Sequence, residues 1–171
     1  MQRASVLQVM RQPHTALSAC LLASLMLLVG AFAFEYIGGL APCKLCIWQR
    51  WPHALVIVCA GIGLARTDKR LWLTGTALSA LTTGGIGLYH LGVEQKWWSG
   101  PSGCSSQMGS KLDLSELTDS LLAMPVVKCD EVAWELLGLS MAGWNMVLSA
   151  GIALIAFQAI RPHHAEAIRS D

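Results

Sequence analysis

The sequence is short of charge. Only 13% of its 171 residues are Asp, Glu, Lys or Arg, against about 25% in ordinary globular domains, while 54% are hydrophobic. The charges fall in clusters and leave long gaps at residues 12–34, 71–93 and 136–160, and a fourth of 15 residues, 51–65, which reaches 20 if it starts at Cys46 and includes Arg50. With a formal net charge of +1 and no basic stripe, nothing points to nucleic acid as a partner. There is no internal repeat and no low-complexity linker, and 171 residues leave room for a single domain, 1–171.

A helix needs about 20 apolar residues to cross the hydrocarbon core of a bilayer, and helices are the spanning form that long apolar runs imply. The gaps therefore predict an all-α membrane protein, a four-helix transmembrane bundle with spans at about 14–34, 46–65, 71–91 and 140–160. Under this arrangement Arg3, Arg11, Arg66, Lys69, Arg70, Arg161 and Arg169 share one side. Lys44, Arg50, Lys96, Lys111 and Lys128 share the other, which has far more loop. The positive-inside rule then puts both termini in the cytoplasm and both longer loops outside. Six of the seven tryptophans (Trp48, Trp51, Trp97, Trp98, Trp134 and Trp144) fall near the outer ends of spans, and Trp72 near an inner end, as in interfacial aromatic belts. Arg3, Arg11 and Ala31-Phe32-Ala33 also fit a cleavable signal peptide. The apolar run is longer than a usual signal core, however, and the next span follows closely. In the second outer loop, Leu114, Leu117 and Leu121 line one helical face, with Asp113, Glu116 and Asp119 mostly elsewhere. This predicts a short helix on the membrane surface.

Of six cysteines, Cys20 and Cys59 fall inside spans, where a thiol behaves as a small buried hydrophobe. The other four lie in outer loops, Cys43 and Cys46 in the first, Cys104 and Cys129 in the second. Thiols in an oxidising compartment can be structural staples. A Cys-x-x-Cys ring, however, gains little from loop closure and suits an accessible thiolate. Lys44 between the two cysteines, Arg50 one turn beyond Cys46, and a helix N-terminus near Cys46 would all favour that anion. Arg50 can equally snorkel to headgroups. His90, at the outer end of span three, is either a functional ionisable group or an interfacial residue bonded to Tyr89 or lipid. Glu94 and Gln95 can simply mark the boundary. Four cysteines can also clamp zinc, but Cys104 and Cys129 are 25 positions apart with no second Cys-x-x-Cys knuckle, and an oxidising exterior disfavours free thiolates. No metal is expected.

Pro42-Cys43-Lys44-Leu45-Cys46-Ile47-Trp48-Gln49-Arg50, His90, the Cys104 and Cys129 loop, and Trp134-Glu135-Leu136-Leu137-Gly138-Leu139-Ser140-Met141 together resemble the DsbB family of the bacterial inner membrane. The resemblance covers most of the chain. It implies a four-helix membrane bundle and a protein-dithiol:quinone oxidoreductase. Such an enzyme reoxidises a thioredoxin-like periplasmic thiol oxidase, DsbA, and passes the electrons to membrane quinone, either ubiquinone or menaquinone. By the same resemblance, Cys104 and Cys129 form the disulfide that DsbA reduces, with Cys104 taking the mixed disulfide. Cys43 and Cys46 are then reduced by internal exchange, Cys46 delivers electrons to quinone, Arg50 positions and polarises the quinone head, and His90 lies near it. Leu114, Leu117 and Leu121 would anchor the loop to the membrane. The chemistry is thermodynamically apt, because DsbA is itself a strong oxidant at about −120 mV and needs an acceptor of still higher potential. Three other readings remain. A paralogue could serve a dedicated partner, and a structural membrane protein could hold two inert disulfides. A vitamin K epoxide reductase-like protein would place its Cys-x-x-Cys before the last span, whereas here it follows the first.

Overall fold

A computed structural model of the protein describes residues 10–101 and 128–160. Cys104 and the expected surface helix around Leu114, Leu117 and Leu121 lie outside them. The described residues form α1 (Pro13–Tyr36), α2 (Lys44–Ala65), α3 (Lys69–Glu94), a two-stranded hairpin of β1 (Glu135–Leu136) and β2 (Leu139–Ser140), and α4 (Met141–Ile160). Each helix overlies one of the apolar stretches.

Local chemistry sets the ends. Pro13 opens α1, where its missing N–H costs nothing. Cys43 is the N-cap of α2, its sulfur accepting the Cys46 N–H at 3.2 Å. At the far end of α2 the Lys69 ammonium reaches the carbonyls of Gly63 at 3.2 Å and Arg66 at 3.0 Å, satisfying acceptors that a helix C-terminus leaves open. The hairpin was not anticipated. Leu137 and Gly138 both hold positive φ, 55° and 76°, the twist that two-residue hairpins require. Ser140 then caps α4 by accepting the Gly143 N–H at 3.2 Å.

Helix α3 packs along both α2 and α4, α1 packs along α2, and a smaller α1–α4 contact closes the bundle. The residues are distributed inside-out relative to a water-soluble bundle. Small residues fill the centre, among them Ala16, Cys20, Ala60, Ala77, Ala80, Ala153 and Ala156. Large ones such as Leu22, Met26, Val29, Leu55, Leu78, Leu81, Leu154 and Phe157 point outward. Ser24, Gln49, His53, Thr76, Thr83, His90 and Ser149 are all buried. In lipid, an outward leucine has no reason to turn in. Close packing of small residues and hydrogen bonds between helices hold the bundle instead. Gly87 shows how close α3 and α4 come, since a Cβ there would stand 3.1 Å from the Ala142 carbonyl and the Met146 nitrogen.

Among the described residues three helices, α1, α2 and α4, are long and apolar enough to cross a membrane. At 26 residues α3 has the length, but Thr74, Thr76, Thr82, Thr83 and five glycines dilute its apolar character.

Candidate functional site

The two sulfurs of the Cys-x-x-Cys turn are free thiols 2.9 Å apart. Cys43 donates to the Cys46 sulfur, and that bond together with burial holds the Cys43 thiol far above the usual thiol range. The sulfurs face different surroundings. Cys43 is buried in a cluster with Leu45, Val93 and Cys129. Cys129 is fully buried and disulfide-bonded, so the chain at Cys129 rests against the first pair. Among the described residues, Cys46 lines an apolar cavity of about 320 Å³ and Cys43 does not.

That cavity lies between α1 and α4, walled by Leu27, Ala31, Phe34, Ala142 and Trp144, with Cys46, Gln49, Arg50, His53, His90 and Asn145 supplying its polar groups. Arg50 does not snorkel freely. Its guanidinium pairs with Glu35 at 2.5 Å, with both side chains about one-fifth exposed, and lies 4.8 Å from the Phe32 ring centroid. Glu35 and Phe32, one turn apart on α1, thus hold the positive charge against the cavity wall.

His90 is buried and does not bond Tyr89. Its Nδ1 lies 3.0 Å from Gln49 Nε2 and its Nε2 3.6 Å from Cys43 Sγ. The Cys129 main chain also lies close to its ring. Tyr89 turns away, its hydroxyl donating to the Ser99 carbonyl at 2.9 Å and its ring stacking on Trp98. Glu94 is not a mere boundary residue. Its side chain is buried, accepts the Ser140 hydroxyl and approaches His90 Nε2 to 3.8 Å.

Lys44 is exposed and sits 5.6 Å from the Trp48 ring centroid, because residues four apart share a helix face. Gln49, His53 and Asn145 went unnoticed. The available signal was a polar side chain within a charge-free apolar run.

Cys43, Cys46 and His90 offer three ligand atoms within 4.8 Å of one another, a grouping that could take a soft metal. The hydrogen bonds oppose it. A metal at His90 Nε2 needs the ring proton on Nδ1, yet Gln49 donates to Nδ1, and its amide cannot turn because Nε2 also donates to the Leu45 carbonyl at 3.2 Å.

A membrane helix bundle with a dithiol of which one sulfur lines an apolar cavity defines an integral-membrane thiol–disulfide protein. The family model described as "Disulfide bond formation protein DsbB" matches residues 13–159. Proteins named "Disulfide bond formation protein B" from Verminephrobacter eiseniae and Methylococcus capsulatus are 32% and 33% identical to the chain. The alignments cover 87% and 82% of it and 88% of each relative. A third, from a Polaromonas species, is 30% identical over 84% of the chain and 88% of its own length. No solved structure matches significantly. The chain belongs to the DsbB family, and it is a disulfide-forming membrane oxidoreductase.

Proposed function

We propose that the protein spans the bacterial inner membrane four times, with both termini cytoplasmic and the cysteine loops periplasmic. There it reoxidises a DsbA-like thiol oxidase and passes the electrons to membrane quinone. The observation that carries this reading is the division between the two sulfurs, Cys46 on the wall of an apolar cavity and Cys43 in the cluster with Cys129. Cys104, outside the described residues, is the proposed disulfide partner of Cys129 and the point of attack for the periplasmic dithiol.

The cavity fits a quinone head, with largely apolar walls, a few polar groups and a volume of about 320 Å³, at the lower edge of small-molecule sites. When bound, a quinone supplies a two-electron acceptor that also takes up two protons. Conversion of the Cys43–Cys46 dithiol to a disulfide releases two electrons and two protons, so the exchange balances. Cys43 keeps its proton and donates it in a hydrogen bond to Cys46, leaving the cavity-facing sulfur to carry negative charge in the first turn of α2, where the helix dipole favours it. Arg50, held by Glu35, presents positive charge to an oxygen entering the cavity. The apolar walls keep water away and so strengthen both interactions.

The test is purified full-length protein with reduced DsbA and a soluble quinone, followed by quinone absorbance. Stoichiometric consumption is expected, and none in the presence of a competent partner refutes the proposal. Cys46→Ser should abolish consumption while the protein still exchanges disulfides with DsbA. Unchanged turnover in that variant refutes the electron path.

A further inference from the structure

Behind the sulfurs, Ser24 on α1, His53 and Gln49 on α2, Asn145 on α4 and His90 on α3 form a continuous run of buried and part-buried hydrogen bonds. Its direction can be read from two groups that only accept. Gln49 Nε2 donates to the Leu45 carbonyl at 3.2 Å and Asn145 Nδ2 to the Thr83 carbonyl at 3.3 Å, which fixes the nitrogen end of each amide. His53 Nε2 must then donate to Asn145 Oδ1 at 2.7 Å, and Asn145 Nδ2 to Gln49 Oε1 at 2.7 Å. Gln49 Nε2, 3.0 Å from His90 Nδ1, must likewise donate to it. A ring nitrogen that accepts carries no proton, so the neutral His90 ring holds its proton on Nε2. Glu94 Oε1, 3.8 Å from Nε2, favours the same arrangement. Cys43 Sγ and the Cys129 main chain are the other groups around the ring.

We infer that Gln49 and Asn145 are positioning residues that lock His90 in its Nε2–H tautomer, so that His90 donates to the Cys43 sulfur and does not take a proton from it. The tautomer follows from the network; its use in exchange rests on the thiol relay proposed above. When an incoming thiolate attacks the sulfur bonded to Cys43, a new S–S bond forms and the Cys43 S–S bond breaks. The electron pair stays on Cys43 Sγ. No proton moves and no oxidant is consumed. The Nε2–H, 3.6 Å from that sulfur, meets the new negative charge, and hydrogen bonds to charged groups are the strong ones. Without Gln49 the ring could equally turn a bare nitrogen towards the sulfur, which would repel the leaving thiolate.

The test uses the full chain in detergent with ¹⁵N-labelled histidine, the His90 signals being those lost in His90→Gln. Wild type should show a bare Nδ1 and a protonated Nε2. Gln49→Glu, nearly isosteric, sets an acceptor opposite Nδ1 and should draw a proton there. Asn145→Asp, should the first variant fold poorly, removes the donor to Gln49 and should give mixed tautomers. The Cys43–Cys46 disulfide of Gln49→Glu should be reduced by a small dithiol about tenfold more slowly than in wild type, the scale of one hydrogen bond to a charge. A wild-type ring protonated on Nδ1 overturns the inference. So does a Gln49→Glu protein whose ring proton has moved but whose reduction rate has not changed. Because this assay needs neither quinone nor DsbA, its outcome is independent of whether the quinone reading stands.

Discussion

Replacing Asn145 with Leu keeps a side chain of similar size at the centre of the bundle and removes its hydrogen bonds. Three links to other helices are lost: to His53 and Gln49 on α2, both at 2.7 Å, and to Thr83 on α3 at 3.2 Å. In a water-soluble protein each orphaned buried group costs about 1–3 kcal/mol, which would make this variant severely unstable. In a bilayer the comparison state also finds partners, and hydrogen bonds between helices average about 0.6 kcal/mol. The lipid figure governs here, because large apolar side chains cover the outside of the bundle. Asn145→Leu should therefore cost about 2 kcal/mol. Ser149→Ala, which loses a 3.4 Å bond within α4, should cost less than about 0.5 kcal/mol. Reversible unfolding by dodecyl sulfate in mixed micelles, followed by tryptophan fluorescence, measures both. A cost above about 5 kcal/mol means that the water-derived figure applies. A cost near zero means that Asn145 does not tie the helices together.

Two further outcomes follow from the site. Glu35→Gln removes the partner that holds Arg50 without touching either sulfur. It should raise the KM for soluble quinone several-fold with little change in kcat, and an equal fall in kcat would show that Glu35 acts on the chemistry itself. Cys43 has its thiol raised by donating to Cys46 and by burial. The folded state thus holds a proton that the unfolded chain releases above about pH 8.5, so this contribution to stability is complete below that pH and lost as pH rises beyond it. The melting temperature of the reduced protein should fall above about pH 8.5, and more steeply than in Cys43→Ser. Equal slopes refute the assignment.

Much of the architecture follows from the distribution of charge along the chain. Long charge-poor runs become α1, α2 and α4 because a backbone in lipid must satisfy its own hydrogen bonds, the one in α2 reaching bilayer length only with Arg50 included, and Cys43 and Cys46 fall at a helix start because the apolar run begins there. α3 was legible as a helix, but its threonines and glycines leave its apolar character weaker than that of the other three. What the sequence could not supply was which side of each helix faces inward. That reading normally comes from an apolar stripe, and a helix with lipid on one side and a packed core on the other is apolar all round. Only the packing turned Lys44 outward, paired Arg50 with Glu35, and gathered Gln49, His53, His90 and Asn145 from three helices into one network. The Cys-x-x-Cys spacing likewise put two thiols in one turn without saying what each would meet. Their separation, Cys46 towards the cavity and Cys43 towards Cys129, was decided by how α1 and α3 pack along α2 and where the segment carrying Cys129 comes to rest.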